Sequence, residues 1–396
     1  MRVLFHYTHK QTLGHTTRSI SFVTALCRLK ADVLVLQGGL VQPFVRFPSG
    51  CRVMDIPFPF DARTSFQAHA VPVSASRRAQ FILKAAAEFC PDVFITEFFP
   101  FGRSSYLPEL LPLLRYLRKK GTRIMASIGY PLIIDLDRFS DPKFAALQKA
   151  VFAFYDNFLI HTPQELETPY IQKTIPSEPL ARSYAALMKD LKARIDYTGY
   201  IFPEKIITGD SLRPNSTAPS IVVSRGGGAV YPKLMTTAIE AQRLLGGVHT
   251  VIACGPATTA AEKALFTSCL DPQDNGRVVL SDLLADLDDH LRTARVSVSL
   301  CGYNTCVQLM RYGTPSVIVP YHNTLASNPT NDQMARSRLL AERFSGIILD
   351  YDTMTPQSLS DAIKEQMSKP RPAPAPRDWF NGAETAARLV LEGRAN

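Results

Sequence analysis

Three consecutive glycines, Gly226, Gly227 and Gly228, separate the apolar run SIVVS at 220–224 from a helix-like stretch that begins near residue 232. Because glycine has no Cβ atom, such a backbone can approach a ligand closely and direct several N–H groups toward it. The dipole of the following helix would favour an anion such as a diphosphate, and Arg225 could add a charge-assisted contact. The alternative interpretation is a strand-to-helix turn without a ligand. The spacing matches neither a dinucleotide fingerprint nor a P-loop.

A second strand–turn–helix pattern lies at residues 300–315, LCGYNTCVQLMRYGTP. Gly302 permits a sharp turn after an apolar run, and a helix is predicted to begin near Asn304. Asn304 or Thr305 is expected to cap this helix, and Gln308 is expected on the inner side of its first turn. The turn contains no lysine, so a diphosphate held here would depend on main-chain amides and the helix terminus.

His15 is the candidate general base. It follows the first apolar run in the segment TLGHTTR at 12–18, which is predicted to be a loop before a helix that starts at Arg18. An imidazole with a pKa of about 6.5 can accept a proton from a hydroxyl group at neutral pH. The alternative is a loop histidine that positions its neighbours. Glu97, at the end of the apolar run DVFITE, is the competing base, although it could instead pair with Arg103 or another arginine.

Asp332 and Gln333 stand at the start of a predicted helix, after the polar segment 321–331. An acidic residue favours a helix N-terminus in any protein. The adjacent pair also offers acceptors and donors that match the vicinal hydroxyl groups of a sugar.

Composition narrows the class of protein. The chain has 396 residues, of which 46% are hydrophobic and 20% charged, and this fits two or three folded domains. No apolar run reaches the roughly 18–20 residues that span a bilayer. The opening segment reads as a buried strand, so the chain is expected to be cytoplasmic. The seven scattered cysteines form no CxxC pair, and neither a zinc site nor a disulfide framework is predicted.

The net charge of +9 lies in the first half of the chain. Residues 1–200 contain 25 Lys and Arg against 16 Asp and Glu, whereas the remainder contains 19 of each. An anionic substrate or a membrane surface would suit the basic half, and a solvated cationic surface is the alternative. No basic-aromatic motif indicates nucleic-acid binding. The pair Asp288-Asp289 is interpreted as a solvated helix face rather than a metal site, and no G-x-S-x-G elbow indicates a serine hydrolase.

Apolar strands alternate with helices along both halves, which predicts parallel sheets covered on both faces. The segment from Gly199 to Pro219 is rich in proline, glycine and polar residues and is the predicted linker between two domains. The expected architecture is α/β, with two doubly wound domains facing across a cleft. A proline-rich connector at 369–379 precedes a final helix.

Four segments resemble, in order, the C-terminal domain of GT-B glycosyltransferases, particularly the MurG-like family 28 group. They are SRGGGA, CGYNTCVQ, GTPSVIVP and NDQMARSRL. That group has a Gly-rich loop, an SGxxTxxE turn and helix, a G-x-P-x-x-x-V-P strand, and a Q/D-Q pair before a helix. The resemblance covers residues 220–350 well. The N-terminal half is similar more loosely, through TLGHTTR, and EFFPFGR at 97–103 is similar to a less studied branch of predicted glycosyltransferases.

The resemblance implies the GT-B fold, with an acceptor-binding domain at 1–200, a donor-binding domain at 218–370, and the helix in 378–396 packing back on the first domain. It also assigns donor contacts. The backbone near Leu284 would meet the base of a UDP- or dTDP-type sugar, Gly226–Gly228 and the turn from Gly302 through Tyr303 and Asn304 to Thr305 would surround the phosphates, and Asp332 and Gln333 would hold the hexose. Gln308 stands where the family has a carboxylate for the ribose, and Cys301 replaces a small hydroxyl residue.

By the same resemblance, Gly14, Thr16, Arg18 and Arg103 are the expected acceptor contacts, and His15 or Glu97 the base. The implied activity is metal-independent, inverting transfer of a hexose from a nucleoside-diphosphate sugar to a hydroxyl acceptor. An anionic or lipid-linked acceptor, and peripheral membrane contact through the basic domain at the inner face, would suit the charge. The alternatives are a nucleotide-sugar 2-epimerase and a catalytically inactive nucleotide-sugar-binding subunit.

Overall fold

The computed structural model describes residues 1–9, 13–39, 45–58, 73–129, 141–166, 175, 178–203, 220–227, 231–274, 276–282, 286–320 and 332–393. Its N-terminal strands are β1 Arg2–His9, β2 Asp32–Gly39, β3 Cys51–Asp55, β4 Val93–Glu97, β5 Arg123–Ile128, β6 Asn157–Ile160 and β7 Ile195–Tyr197. The C-terminal strands are β8 Ser220–Ser224, β9 His249–Ala253, β10 Val278–Ser281, β11 Val296–Ser299, β12 Ser316–Ile318 and β13 Ile347–Ile348.

The α-helices that surround these strands are α1 Leu13–Arg28, α2 Val73–Phe89, α3 Leu107–Lys119, α4 Pro142–Phe152, α5 Glu178–Leu191, α6 Pro232–Arg243, α7 Ala260–Ser268, α8 Leu287–Thr293, α9 Tyr303–Tyr312, α10 Asp332–Phe344, α11 Pro356–Ser368 and α12 Gly382–Glu392.

Within the described residues, the strands form two parallel sheets of the same design. Their orders are β3-β2-β1-β4-β5-β6-β7 and β10-β9-β8-β11-β12-β13. In each sheet the chain first moves outward in one direction, returns to the centre and then continues in the other direction. This reversal leaves a crevice at the carboxyl ends of β1 and β4 in the first sheet and of β8 and β11 in the second. The predicted α/β architecture of two doubly wound units is confirmed.

The sequence patterns missed two edge strands and the start of the first helix. β3 is partly exposed along its length and β7 has three half-buried residues, so neither has the apolar run that marks a central strand. α1 begins at Leu13 rather than near Arg18, which corrects the predicted loop. Gly14, Thr16 and Thr17 are weak helix formers, and burial of the threonines within α1 overrides their propensity.

The final helix of the chain packs on the N-terminal half. Ala386, Ala387 and Val390 of α12 are buried in one apolar cluster with Phe22 and Leu26 of α1, so the final helix packs on the N-terminal sheet unit. Such burial removes roughly 25 cal/mol of unfavourable hydration per Å² of apolar surface.

Tyr303, the first residue of α9, crosses between the two units. Its hydroxyl donates to the carbonyl of His161 at 3.0 Å and accepts from the N–H of Ile201, also at 3.0 Å. Its ring packs edge-on against Tyr200, with centroids 6.0 Å apart. Tyr303 was predicted to contact the donor, but its side chain instead connects α9 to the N-terminal half.

Replacing Tyr303 with phenylalanine should lower the free energy of unfolding by about 1–3 kcal/mol, because the carbonyl of His161 and the N–H of Ile201 would lose a buried partner. Urea unfolding measures the change. Tyr116→Phe, which removes the hydroxyl of a half-buried tyrosine on α3, is the control. Equal effects of the two substitutions would contradict a bridging role for Tyr303.

Candidate active site

His15 and Glu97 meet at the crevice of the N-terminal sheet. β1 and β4 are parallel neighbours, so the residues that follow β1 and those that end β4 lie at one edge. His15, in the first turn of α1, places its Nδ1 atom 2.7 Å from Oε1 of Glu97. The Glu97 side chain is 2% exposed, whereas that of His15 is 23% exposed and remains accessible to a substrate. The two residues predicted as alternative bases form one hydrogen-bonded pair.

Two arginines complete this cluster. Arg18, one turn along α1 from His15, pairs with Oε1 of Glu97 and is buried. Arg103 places its Nη2 atom 3.0 Å from Nε2 of His15. The ring of Phe98 packs edge-on against the imidazole, with centroids 5.6 Å apart. Four residues that the sequence separates by up to 88 positions thus form one polar cluster.

The neighbours of His15 determine its tautomer. A guanidinium group can only donate hydrogen bonds, so Nε2 accepts from Arg103. Nδ1 lies 3.2 Å from Nη2 of Arg18 but only 2.7 Å from the carboxylate of Glu97, so we assign it the hydrogen and it donates to Glu97. Burial lowers the pKa of His15, and Arg103 and Arg18 lower it further against the opposing effect of Glu97. Burial alone would raise the pKa of Glu97, but His15 and the arginines outweigh it and lower this pKa to about 2. Glu97 is therefore a weak base that orients a neutral imidazole.

The other predicted acceptor contacts lie on the same turns of α1. No described atom lies within 4 Å of a Cβ built on Gly14, so this position is open. Thr16 is buried, and its side chain hydrogen-bonds to Tyr7 of β1. The structure accordingly gives Thr16 a contact inside the N-terminal unit, while Gly14, next to His15, has no neighbour of this kind among the described residues.

The glycine bend after β8 faces the N-terminal unit. Gly226 has a positive φ of 76°, and no described atom lies within 4 Å of its built Cβ. Its carbonyl oxygen lies over Gly255, where a Cβ would come within 2.4 Å. A Cβ on Gly227 would lie 2.7 Å from the backbone nitrogen of Leu13, at the start of α1. Only glycine permits this approach between the two units.

The second bend places an uncapped helix terminus nearby. Gly302 is the N-cap of α9 and makes no side-chain cap, so the prediction that Asn304 or Thr305 caps the helix is wrong. The Oδ1 atom of Asn304 is buried and has no hydrogen-bond partner among the described residues. No described atom lies within 4 Å of a Cβ built on Gly302. The first-turn N–H groups of α9 thus have no side-chain cap among the described residues.

Arg336, which contacts this turn, was not predicted from the sequence. Cys301 has a positive φ of 58°, and its carbonyl accepts a hydrogen bond of 3.1 Å from Nε of Arg336 on α10. Arg18 of α1 lies over the ring of Tyr303, 5.1 Å from its centroid. The base cluster and the start of α9 are consequently in direct contact.

Arg225 does not extend toward a ligand. Its buried guanidinium donates to the carbonyl of Cys254 at 2.5 Å and to Thr258 at 2.9 Å, and it pairs with Glu262 at 2.8 Å. It also lies over the ring of Phe266. The predicted diphosphate contact is therefore corrected: Arg225 fastens β8 to α7 and supports the glycine bend from behind. Its partner, Glu262, lies 37 positions away in the sequence, so local sequence patterns could not predict this ion pair.

Gln308 also has an unexpected partner. Its Nε2 atom donates to Oδ1 of Asp288 on α8 at 2.9 Å, and the hydroxyl of Tyr312 donates to Oδ2 of the same carboxylate at 2.6 Å. Asp288, interpreted from sequence as part of a solvated face, instead joins α8 to α9. The carboxylate of Asp288 thus lies next to Gln308, the residue that stands where the family has a carboxylate.

The remaining predicted positions are only partly described. Gly228 and Leu284 lie outside the described residues, and Asp332 begins α10 without a described side chain. Gln333 is half-buried in the first turn of α10, and Thr305 is half-buried in that of α9. In the part of the chain that is described, no group of three His, Cys, Asp or Glu side chains is placed to hold a metal ion. No helix in that part has the length and apolar character needed to span a membrane.

Comparisons with known proteins bear on the fold of the chain. Residues 221–389 match the model of the glycosyltransferase family 28 C-terminal domain. A 92-residue segment is 29% identical to a UDP-N-acetylglucosamine--N-acetylmuramyl-(pentapeptide) pyrophosphoryl-undecaprenol N-acetylglucosamine transferase from Rhodospirillum rubrum. That match covers 23% of this chain and 23% of the relative, so the chain spans about a quarter of the curated relatives it matches.

Solved structures share the whole fold at low identity. MurG from Acinetobacter baumannii superposes with a TM-score of 0.53 at 15% identity, covering 99% of this chain and 100% of that one. A Listeria monocytogenes protein, provisionally assigned as a UDP-N-acetylglucosamine 2-epimerase, superposes with a TM-score of 0.61 at 12% identity, covering 100% and 98%. The C-terminal half of the chain therefore carries a match to the family 28 C-terminal domain, and the whole chain has the GT-B fold.

Proposed function

We propose that the chain is a metal-independent, inverting hexosyltransferase that uses a nucleoside-diphosphate sugar, of the UDP type, and a hydroxyl acceptor. One observation carries this proposal. Leu13 abuts Gly227, and Arg18 stacks on Tyr303, so the His15 cluster and both glycine bends of the family 28 domain converge at one junction. A base and an anion-binding surface on opposite sides of a junction are what displacement at a sugar carbon requires.

The chemical step follows from the tautomer of His15. Nε2 takes the proton of the acceptor hydroxyl, whose oxygen forms a bond to the anomeric carbon as the bond from that carbon to the diphosphate breaks. The diphosphate leaves with the bonding electron pair, and in-line attack inverts the anomeric centre. Glu97 holds the imidazole in place and stabilises the imidazolium that forms.

The leaving group would be stabilised by main-chain donors. The uncapped first turn of α9 offers N–H groups beside Gly302, and Gly226 leaves room for a phosphate to approach. Donors that are fixed before the reaction stabilise developing negative charge without reorganisation, so no lysine or metal ion is required by this scheme. Because Leu13 covers Gly227, we place the diphosphate at Gly226 and Gly302, with Asp332 and Gln333 as the proposed hexose contacts.

The acceptor would bind the basic N-terminal half, beside Gly14 and His15. An excess of nine positive charges over residues 1–200 suits an anionic or lipid-linked hydroxyl compound, and it suits peripheral contact with the inner face of the cytoplasmic membrane. The relative from Rhodospirillum rubrum is named for transfer to a pyrophosphoryl-undecaprenol compound, and this supports the same class of partner here.

Incubation with a UDP-sugar alone separates the proposal from its alternatives. Slow release of UDP and free sugar supports a transferase, isomerisation of the sugar supports the epimerase, and binding without turnover supports an inactive subunit. The epimerase shares the fold, so the fold does not decide between them. The hydrogen-bonded His15–Glu97 pair at the crevice favours a catalytic protein over an inactive one.

Gly302→Val should abolish the stabilisation that UDP gives to the protein. For the unmodified chain we expect about 2–3 kcal/mol of added stability at 100 times Kd. A valine at Gly302 fits the described part of the unliganded structure, because the built Cβ meets none of its atoms within 4 Å, but its methyl groups would cover the start of α9. A thermal-shift titration with UDP measures the loss. Gly227→Val is a poorer test, because its side chain would collide with Leu13.

The matched control is Ala260→Val, which puts the same side chain at the exposed first residue of α7 in the same half of the chain. It should keep the full UDP-induced shift. Retention of the shift by Gly302→Val, at unchanged stability, would remove the start of α9 from the diphosphate site.

A further inference from the structure

The nitrogen that the proposed reaction needs as a proton acceptor is already occupied. Nε2 of His15 accepts a hydrogen bond of 3.0 Å from Nη2 of Arg103, while Nδ1 is held by Glu97. An acceptor hydroxyl cannot donate its proton to Nε2 while a guanidinium hydrogen lies there. Arg103 therefore has to move before the proposed transfer can occur.

Arg103 is placed to move toward an anion. It has a positive φ of 63° and precedes the short 3₁₀ turn Ser104–Tyr106, outside the regular elements of the sheet. Its side chain is half-buried, and its Nε atom is buried without a hydrogen-bond partner among the described residues. A guanidinium group with an unused donor beside the one at His15 can present the two-pronged face that a carboxylate or phosphate accepts.

The charges around His15 are unbalanced. α1 contributes Arg18, the segment after β4 contributes Arg103, and β4 contributes Glu97 as the carboxylate of the cluster. β6 leads to His161, which is neutral because burial holds its pKa well below the usual value, and α9 contributes the uncharged Tyr303. Within the part of the chain that the structure describes, two guanidinium cations thus share one carboxylate, and an added anion would restore neutrality.

We propose that Arg103 selects the acceptor: an anionic group of the acceptor, phosphate or carboxylate, pairs with the Arg103 guanidinium, draws it from Nε2 of His15 and so exposes the base. This inference rests on the proposed function and specifies the acceptor class. Exposure of the base then depends on the correct acceptor, and water alone meets a covered imidazole. Hydrolysis of the donor is therefore slow, though not absent, until an anionic acceptor arrives.

The exchange is tested first on the unmodified protein, without turnover. The ring resonances of ¹⁵N-labelled His15 are followed in NMR spectra as inorganic phosphate or acetate is added, and in a separate sample as UDP is added. Phosphate or acetate should shift the Nε2 resonance and raise the pH at which His15 titrates, because the guanidinium no longer donates to the neutral form. No response to either anion, or an equal response to UDP alone, would overturn the assignment of Arg103 to the acceptor.

Arg103→Met gives the second test, since methionine fills similar space without a donor. Its UDP-sugar hydrolysis in the absence of acceptor should rise about tenfold or more above that of the unmodified protein, and added phosphate should have no further effect. Arg103→Lys should restore part of the suppression. Arg115→Met, on the exposed face of α3, is the matched control and should behave as the unmodified protein. Hydrolysis by Arg103→Met at or below the control rate would refute the proposal.

The transferase activity and the role of Arg103 can be refuted independently. If His15 responds to phosphate but no UDP-sugar is turned over, Arg103 covers an imidazole in a protein that is not a transferase. If UDP-sugars are hydrolysed but the His15 resonances do not respond to phosphate or acetate, the transferase assignment is retained and the proposed role of Arg103 is refuted.

Discussion

Replacing His15 with alanine is expected to lower kcat for sugar transfer by about 10²–10⁴-fold, the usual contribution of a positioned general base. The imidazole of His15 is 23% exposed, and burial together with Arg103 and Arg18 lowers its pKa, so the ring is neutral at pH 7 and can accept a proton. Glu97 is buried and has a pKa of about 2, and a guanidinium group offers hydrogen-bond donors but no acceptor. Release of UDP in the presence of acceptor measures the rate, and a thermal-shift titration with UDP should show unchanged donor binding.

The matched control for this experiment is His249→Ala, which removes a half-buried histidine at the start of β9 in the other unit. Urea unfolding of both variants checks that each remains folded. A kcat for His15→Ala within tenfold of the unmodified value would remove His15 as the base. Loss of UDP binding together with transfer would instead make His15 part of the donor site.

The sequence predicted the central strands because they are buried on both faces and read as continuous apolar runs. SIVVS at 220–224 coincides with β8, and the end of DVFITE coincides with the end of β4. β3 was missed because it is an edge strand whose residues are all half-buried or exposed, so it lacks such a run. The helix that carries His15 was placed too late because local propensity at Gly14 and Thr16 was overridden by tertiary burial.

The site was predictable in its residue types and less so in its partnerships. His15 and Glu97 each follow or end a strand, and the pairing of β1 with β4 brings them together. The pairing of Arg18 with Glu97 joins residues 79 positions apart, and that of Arg103 with His15 joins residues 88 positions apart. Neither pairing can be predicted from local sequence. Arg225 shows the opposite error, because a charged residue next to a glycine bend was assigned to a ligand although its partner is Glu262.

Glu97 should be the most sensitive position in the cluster for stability. Glu97→Gln keeps the shape of the side chain but leaves the buried guanidinium of Arg18 without a counter-charge. Removal of one partner of a buried ion pair costs about 3–5 kcal/mol, so we expect a loss of that order in the free energy of unfolding at pH 7. Glu88→Gln, which removes an exposed carboxylate of α2 that pairs with Lys84, is the control and should change stability very little.

The dependence on pH distinguishes a lost charge from a disturbed packing contact. The pKa of Glu97 is lowered in the folded protein, from 4.5 to about 2, so its carboxylate contributes stability that is fully present above the unfolded pKa. That contribution is lost as the pH falls through the folded pKa. The difference between the unmodified protein and Glu97→Gln should therefore be constant between pH 7 and 5 and shrink progressively from pH 4.5 toward pH 2. Urea unfolding across this range measures it, and a difference that persists unchanged at pH 3 would show that Glu97 acts through its shape and not its charge.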